Sequence, residues 1–316
     1  MKKRWNIVLV TALSALLLID YSCWSAQGPL RFLKPHYEDR PPAIVMVAFG
    51  TSTKAQITFD HIDREIKKAF PKHEIRWAFT SKIIRDKMNK IYEKKGLNKR
   101  LLSLQQVLAN LEAEGFRKAV VQSLHIFPGG EYVHMQRLSL VPNIQVSIGE
   151  PLLATWEDVL KLLEDLAQYF PKESEGCAVL AGHGTPNTYY APSTSVYLAL
   201  DRLLRTHYPN VFLGSVEGVP DRKDALDKAK AHPGKKVVVV PFMLVAGDHI
   251  MNDIMGKEPD EDGVPSWAME LEAAGKEVEC PVLTIKGERY FRGLGFLKAT
   301  TEIIEEHIHQ ALKDLK

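Results

Sequence analysis

Three segments of this chain run from unbroken apolar sequence straight into a residue able to bind a metal or move a proton. "CAVLAGHGTP" delivers His183, "NVFLGSVEGVP" delivers Glu217, and "VVVVPFMLVAGDHIMND" delivers His249 with Asp248 and Asp253 close by. Two imidazoles and a carboxylate suit a first-row divalent ion with open coordination positions. The same set would serve a zinc hydrolase, in which the open position holds an activated water. A single histidine after a strand is most often a turn residue or a hydrogen-bonded core residue. Three ligand-type residues at three strand exits carry more weight, because open parallel α/β sheets place ligands at the carboxyl ends of their strands. Gly182, Gly184, Gly218 and Gly247 stand beside them, where the missing Cβ lets backbone come close to a large flat ligand. The sequence holds no His-Glu-x-x-His helix, no Gly-x-Ser-x-Gly elbow and no Walker-type phosphate loop, which points to chemistry without ATP.

The elements that must position these residues read as strands alternating with helices. "AIVMVAF" is a continuous apolar run closed by Gly50-Thr51-Ser52, the pattern of a strand buried on both faces of a parallel sheet. A helix is expected over 54–70, a strand at "EIRWAFTS", and helices over 82–94 and 103–114 with Gly115 as the stop. "KAVVQSLHIFPGGEY" then reads as a strand and its exit loop. The second half repeats the plan: "CAVLAGHGTP" matches "AIVMVAFGTS", "NVFLGSVEGVP" matches "EIRWAFTSKII", and "VVVVPFMLVAGDH" matches "AVVQSLHIFPGGE". In that alignment His183 falls opposite Phe49, Glu217 opposite Thr80-Ser81, and Met243 opposite His125. The expected fold is α/β, with two similar lobes, each a parallel sheet flanked by helices, from internal duplication. "EDVLKLLEDLAQYF" is the joining helix, and a last helix over 295–312 packs back across the lobes.

The boundaries follow. Residues 1–26 have a basic start (Lys2, Lys3, Arg4), then an apolar core of about 15 residues and small residues, the layout of a cleaved secretory signal, too short for a comfortable membrane span of roughly 20. Residues 27–42 form an irregular proline-rich arm, 43–154 the N-terminal lobe, and 155–316 the C-terminal lobe with the metal site. The mature chain is expected in the periplasm, with no stable membrane span. Its composition, 45% hydrophobic and 25% charged, is that of a soluble globular protein, and a net charge of +2 gives no argument for nucleic acid. Cys23 leaves with the signal. Cys177 and Cys280 either pair in an oxidising compartment or stay as separate thiols. With no zinc-type cysteine spacing, a metal site here must be built from histidines and carboxylates.

The segments "FGTS", "AFTSKIIRDKM", "VVQSLHIFPGGEY", "GHGT", "VEGVPD" and "PFMLVAGDHIMNDI" are together very similar to the anaerobic-type sirohydrochlorin cobaltochelatases. These are ATP-independent, ferrochelatase-like class II chelatases. The similarity runs over about 43–312. It implies insertion of Co²⁺, and in several members Fe²⁺, into sirohydrochlorin, an octacarboxylate tetrapyrrole. It also implies that His183, Glu217 and His249 bind the metal and act in catalysis. Export is the departure, since such enzymes usually work in the cytoplasm.

Metallation needs two pyrrole N–H protons to leave, and imidazoles suit that task because the free ring titrates near ~6.5. The substrate carboxylates need cations, for which Lys82, Arg85 and Lys87 after "AFTS" are candidates beside the plain reading of a solvated helix face. His125 has no partner in the repeated triad. It could line the cleft, ligate a haem iron at a subunit contact, or be a hydrogen-bonded core histidine. His134 and His207 read as surface helix residues. The alternative function is an exported, non-catalytic metal or tetrapyrrole (haem) carrier using the same cleft. Self-association into a homo-oligomer is left open by the sequence.

Overall fold

Strand β1 (Ala43–Ala48) is buried along its whole length because it lies inside a sheet and both of its faces are covered. A computed structural model describes residues 40–140, 143–185 and 191–315, without the side chains of Ala191 and Pro192. The expected signal, residues 1–26, and most of the expected proline-rich arm lie outside the described residues. β1 is flanked by β2 (Ile75–Phe79) and β3 (Lys118–Ser123), with β4 (Gln145–Gly149) beyond, all parallel in the order β2-β1-β3-β4. Alternate residues serve alternate faces. Ile44 and Met46 pack with Phe59, Ile62 and Ile66 of α1 (Ile57–Ala69). Val45 and Val47 pack with Leu104, Leu108 and Leu111 of α3 (Leu104–Ala113). Between them in sequence, α2 (Lys82–Lys94) starts at Ser81, whose hydroxyl accepts from the Ile84 N–H, a side-chain cap that satisfies an orphan donor.

The second sheet repeats the order. β5 (Gly176–Gly184), β6 (Val211–Glu217), β7 (Lys236–Phe242) and β8 (Glu277–Glu279) run parallel as β6-β5-β7-β8. Its helices are α6 (Ala191–His207), α7 (Arg222–Ala231) and α8 (Trp267–Ala273). The registers correspond: Ile44 pairs with Ile75 and Val120 in the first sheet, as Ala178 pairs with Val211 and Val238 in the second. Carried along the strands, this frame sets His183 against Phe49, Glu217 against Ser81 and Met243 against His125, as the sequence repeat does.

The linking helix α5 (Trp156–Leu166) opens with a capping box at Thr155 and Asp158. The last helix, α9 (Lys298–Asp314), returns to pack on α5, α1, β3 and β4. Lys161 of α5 bridges Glu302 and Glu306 of α9 at 3.3 and 2.9 Å. One apolar cluster runs from Ile44 and Met46 through Leu180 to Ile303 and Ile304, so the two sheets share a core, and the chain from Pro41 onward forms one unit.

Several elements go beyond the sequence reading. "GGEY" is not only exit loop, because Gly130 opens a nine-residue helix, α4 (Gly130–Leu138). β4 and β8 are edge strands with few buried residues, so no apolar run marks them. A hairpin of β9 (Val282–Ile285) and β10 (Glu288–Phe291) turns at Lys286-Gly287, both at positive φ, the backbone a two-residue hairpin loop requires. Cys177 and Cys280 are both free. Among the described residues no helix is long and apolar enough to cross a membrane.

Candidate active site

β5 is buried from Gly176 through Gly182, and its next residue, His183, emerges with 48% of its side chain exposed. The ladder between β5 and β6 pairs Gly184 with Glu217, which brings the carboxylate beside the imidazole, Nδ1 to Oε2 4.0 Å. β7 ends at Phe242, and the following loop is held by backbone bonds from Leu294 N–H to the Met243 carbonyl (2.8 Å) and from Gly295 N–H to the Leu244 carbonyl (2.9 Å). The loop leads into a π-helical turn, Ile250–Ile254, with His249 as its N-cap residue. There the His249 ring meets the His183 ring edge to face, centroids 4.8 Å apart and planes at 85°.

Each ring is oriented by an oxygen at Nδ1. That of His249 lies 2.6 Å from Asp253 Oδ2, and that of His183 lies 3.2 Å from the Gly184 carbonyl. A carbonyl oxygen only accepts, and so does an ionised carboxylate. Neutral rings so placed carry the proton on Nδ1 and keep the Nε2 lone pair for a metal or an incoming proton. Carboxylate support of a ligating histidine in this manner raises its basicity and fixes its tautomer.

The backbone allows this approach only through glycine. Gly184 sits at φ +77°, and a Cβ there would fall 1.8 Å from the Glu217 carbonyl oxygen. Its N–H donates to the hydroxyl of buried Tyr197 (3.2 Å), whose pKa burial pushes up to about 12. From the first sheet, Thr51 at the β1 exit comes within contact of Gly247, its Oγ1 3.0 Å from where a Cβ would stand. The strand exits of both halves therefore meet two residues from His249. No three His, Cys, Asp or Glu side chains among the described residues are gathered as a ready metal cage. The 4.0 Å between His183 and Glu217 is measured from Nδ1, the nitrogen turned to the Gly184 carbonyl, and so describes the packing of the carboxylate against the ring.

The remaining residues singled out in the sequence are placed as follows. Lys82, exposed at the start of α2, pairs with Asp86. Arg85 turns inward, its Nη1 donating to the carbonyls of Phe79 and Thr80, and Lys87 is exposed. His125 follows β3 by two residues. Its Nδ1 lies 3.0 Å from Ser123 Oγ, while its Nε2 is covered and has no partner. Burial pushes its pKa down to about 4, so the ring is neutral at pH 7. Asp253 and Tyr197 join the site beyond the residues that the sequence singles out for it. For Asp253 the signal was present, since it stands four residues after His249, the spacing of facing residues on a helical turn.

The chain resembles known proteins over nearly its whole described length. Residues 42–313 match the family described as Cobalt chelatase (CbiK). The sirohydrochlorin cobaltochelatase of Salmonella typhimurium is 29% identical over 277 residues, 85% of this chain and 96% of that protein. Sirohydrochlorin cobaltochelatase CbiKC of Nitratidesulfovibrio vulgaris is 29% identical over 304 residues, 91% of this chain and 97% of that protein. Among solved structures, SirB from Bacillus subtilis with Fe³⁺ aligns with a TM-score of 0.58 at 15% identity, covering 87% of this chain and 96% of its own. The sirohydrochlorin chelatase SirB from Bacillus subtilis subspecies spizizenii in complex with cobalt aligns at 0.55 and 16%, covering 86% and 96%. At that identity the two structures speak for the fold, two parallel sheets flanked by helices. The family match begins one residue before β1 and ends in the last turn of α9, taking in all three strand exits: the chain belongs to the cobalt chelatase (CbiK) family.

Proposed function

We propose that this protein inserts Co²⁺, with Fe²⁺ as a second accepted metal, into sirohydrochlorin without ATP, using His183, Glu217 and His249. The observation that carries the reading is the edge-to-face pair of imidazoles, 4.8 Å apart with Glu217 4.0 Å from one of them, at the strand exits of a chelatase-family fold. Two pyrrole N–H protons must leave as the divalent ion enters. The Nε2 atoms of His183 and His249, each with Nδ1 turned to an oxygen, serve as metal ligands and proton acceptors. Glu217 completes the metal's coordination or passes protons outward, for which its 41% exposure leaves a path to solvent. The macrocycle lies between the strand exits of the two sheets, bent so that its nitrogen lone pairs face the ion. Exposed Lys82 meets a substrate carboxylate by exchanging Asp86 for it, and Arg85 supports the β2 exit from which Lys82 projects. His125 either borders the macrocycle or ligates haem iron, and in both roles its covered Nε2 must first be exposed by movement of its neighbours.

The test is to mix purified protein, sirohydrochlorin and Co²⁺ and follow the visible spectrum. Metallation faster than the uncatalysed rate is expected. A static spectral shift without turnover is the behaviour of a carrier and would overturn the reading. Export through residues 1–26 belongs to the same proposal. The mature N-terminus is expected between Ser22 and Pro29, by mass spectrometry of protein from the envelope fraction, and full-length chain in the cytosol would refute it. A Soret band in the purified protein, lost in His125→Ala, is the result expected of a haem ligand.

A further inference from the structure

Behind the His249 turn lies a cavity of about 820 Å³ that the histidine site does not use. Met251 and Met255 of the turn line it, with Met269 of α8 and Phe291 of β10. Three cations reach it, Lys54 from the first half of the chain and Lys257 and Arg289 from the second, against one acid, Glu272. Soft thioethers and an aromatic ring beneath cationic groups make a surface for a ligand that is apolar in body and anionic at its edge.

The cations are not equivalent. Lys54 Nζ donates to the Arg289 carbonyl at 2.9 Å and lies 5.1 Å from the centre of the Tyr290 ring, so it ties the β9–β10 hairpin to the first half. Arg289 itself lines the cavity. Among the described residues, no carboxylate pairs with Arg289 or Lys257. Arg85, by contrast, is occupied by backbone carbonyls, and Lys82 is paired with Asp86. The cavity wall starts at Ala246 and resumes at Met251, on either side of His249 in the chain. The bay therefore borders the turn that carries His249.

We propose that the bay is the subsite for the carboxylate-bearing edge of the tetrapyrrole, with Arg289 and Lys257 as the cations that recognise it. This rests on the chelatase reading above. Bidentate pairing of a guanidinium with a carboxylate is geometrically selective, so Arg289 is the stronger determinant. Octacarboxylate tetrapyrroles are favoured over those with two carboxylates.

The experiment compares wild type, R289E/K257E and the conservative Arg289→Lys. The readouts are initial metallation rates and quenching of the fluorescence of metal-free sirohydrochlorin. Charge-assisted contacts of this kind are worth about tenfold or more in affinity each. The reversed variant should therefore raise both KM and Kd for sirohydrochlorin by at least about tenfold. KM for Co²⁺ should stay put, and the preference for sirohydrochlorin over a dicarboxylate porphyrin should collapse. Arg289→Lys should recover part of the loss. Should the double reversal not fold, Arg289→Gln and Lys257→Gln singly carry the same expectation at smaller size. A wild type that metallates, with variants matching it in KM and Kd, overturns the subsite alone. A wild type that fails to metallate overturns the chelatase reading, while the binding measurement still decides whether the bay holds the tetrapyrrole.

Discussion

Replacing Asp253 by asparagine keeps the side chain's size and removes its charge from His249. In the structure the two are joined at 2.6 Å, with 35% of the histidine and 37% of the aspartate side chain exposed. Loss of a carboxylate behind a ligating histidine typically costs 10- to 100-fold in metal affinity or activity, about 1.4–2.8 kcal/mol. Asp253→Asn should therefore weaken Co²⁺ binding by about 10- to 100-fold, measured by competition with a chelating dye, and slow metallation in step. The Kd for metal-free sirohydrochlorin should hold, since in the proposed site Asp253 orients the ring of His249 and does not touch the tetrapyrrole. A merely structural role would instead lower the melting temperature and weaken both ligands together. Co²⁺ affinity and rate within about twofold of wild type would refute the claim that Asp253 sets the working state of His249.

Three further outcomes are expected. His183→Ala and His249→Ala should each cost at least about a hundredfold in cobalt insertion, and the double variant little more than either single one, because the rings act as one unit. Near-normal insertion by a folded double variant would reject the site. Gly184→Ala should lower stability by about 2 kcal/mol or more on a denaturant curve, since a Cβ there meets the Glu217 carbonyl at φ +77°, and any folded fraction should lose activity as Glu217 is displaced. His125 has a folded-state pKa of about 4 against 6.5 for the free ring, so the unfolded chain takes up the proton first. Its contribution to stability is whole above pH 6.5 and is lost as pH falls from 6.5 toward about 4, a change of up to about 3 kcal/mol. His125→Asn should flatten the decline in denaturation midpoint over that interval.

The parts of this fold that could be read from sequence are those where one physical demand acts over several consecutive residues. β1 and β5 must be apolar on both faces, so their runs stand out, and the residue that ends each run is marked as an exit. His183 ends such a run on β5 and Glu217 ends the run of β6, so the two group from sequence although they are neighbours only through the Gly184–Glu217 rung. The short, exposed strands β4 and β8 left no apolar run to find, and the four residues of β9, VLTI, are too few to stand out. Cations are harder still. Whether an arginine binds substrate or its own backbone depends on which carbonyls point at it: Arg85 faces those of Phe79 and Thr80, a consequence of how α2 leaves β2. Arg289 and Lys257 stand far apart from Lys54 in the chain. They share one cavity because the β9–β10 hairpin is tied down by a lysine from the other half of the chain. Strand exits are fixed by local pattern, whereas the charges around them are assigned by tertiary contacts. The grouping of His183 with Glu217 can therefore be read from sequence, while the cations that share the bay with Lys54 cannot.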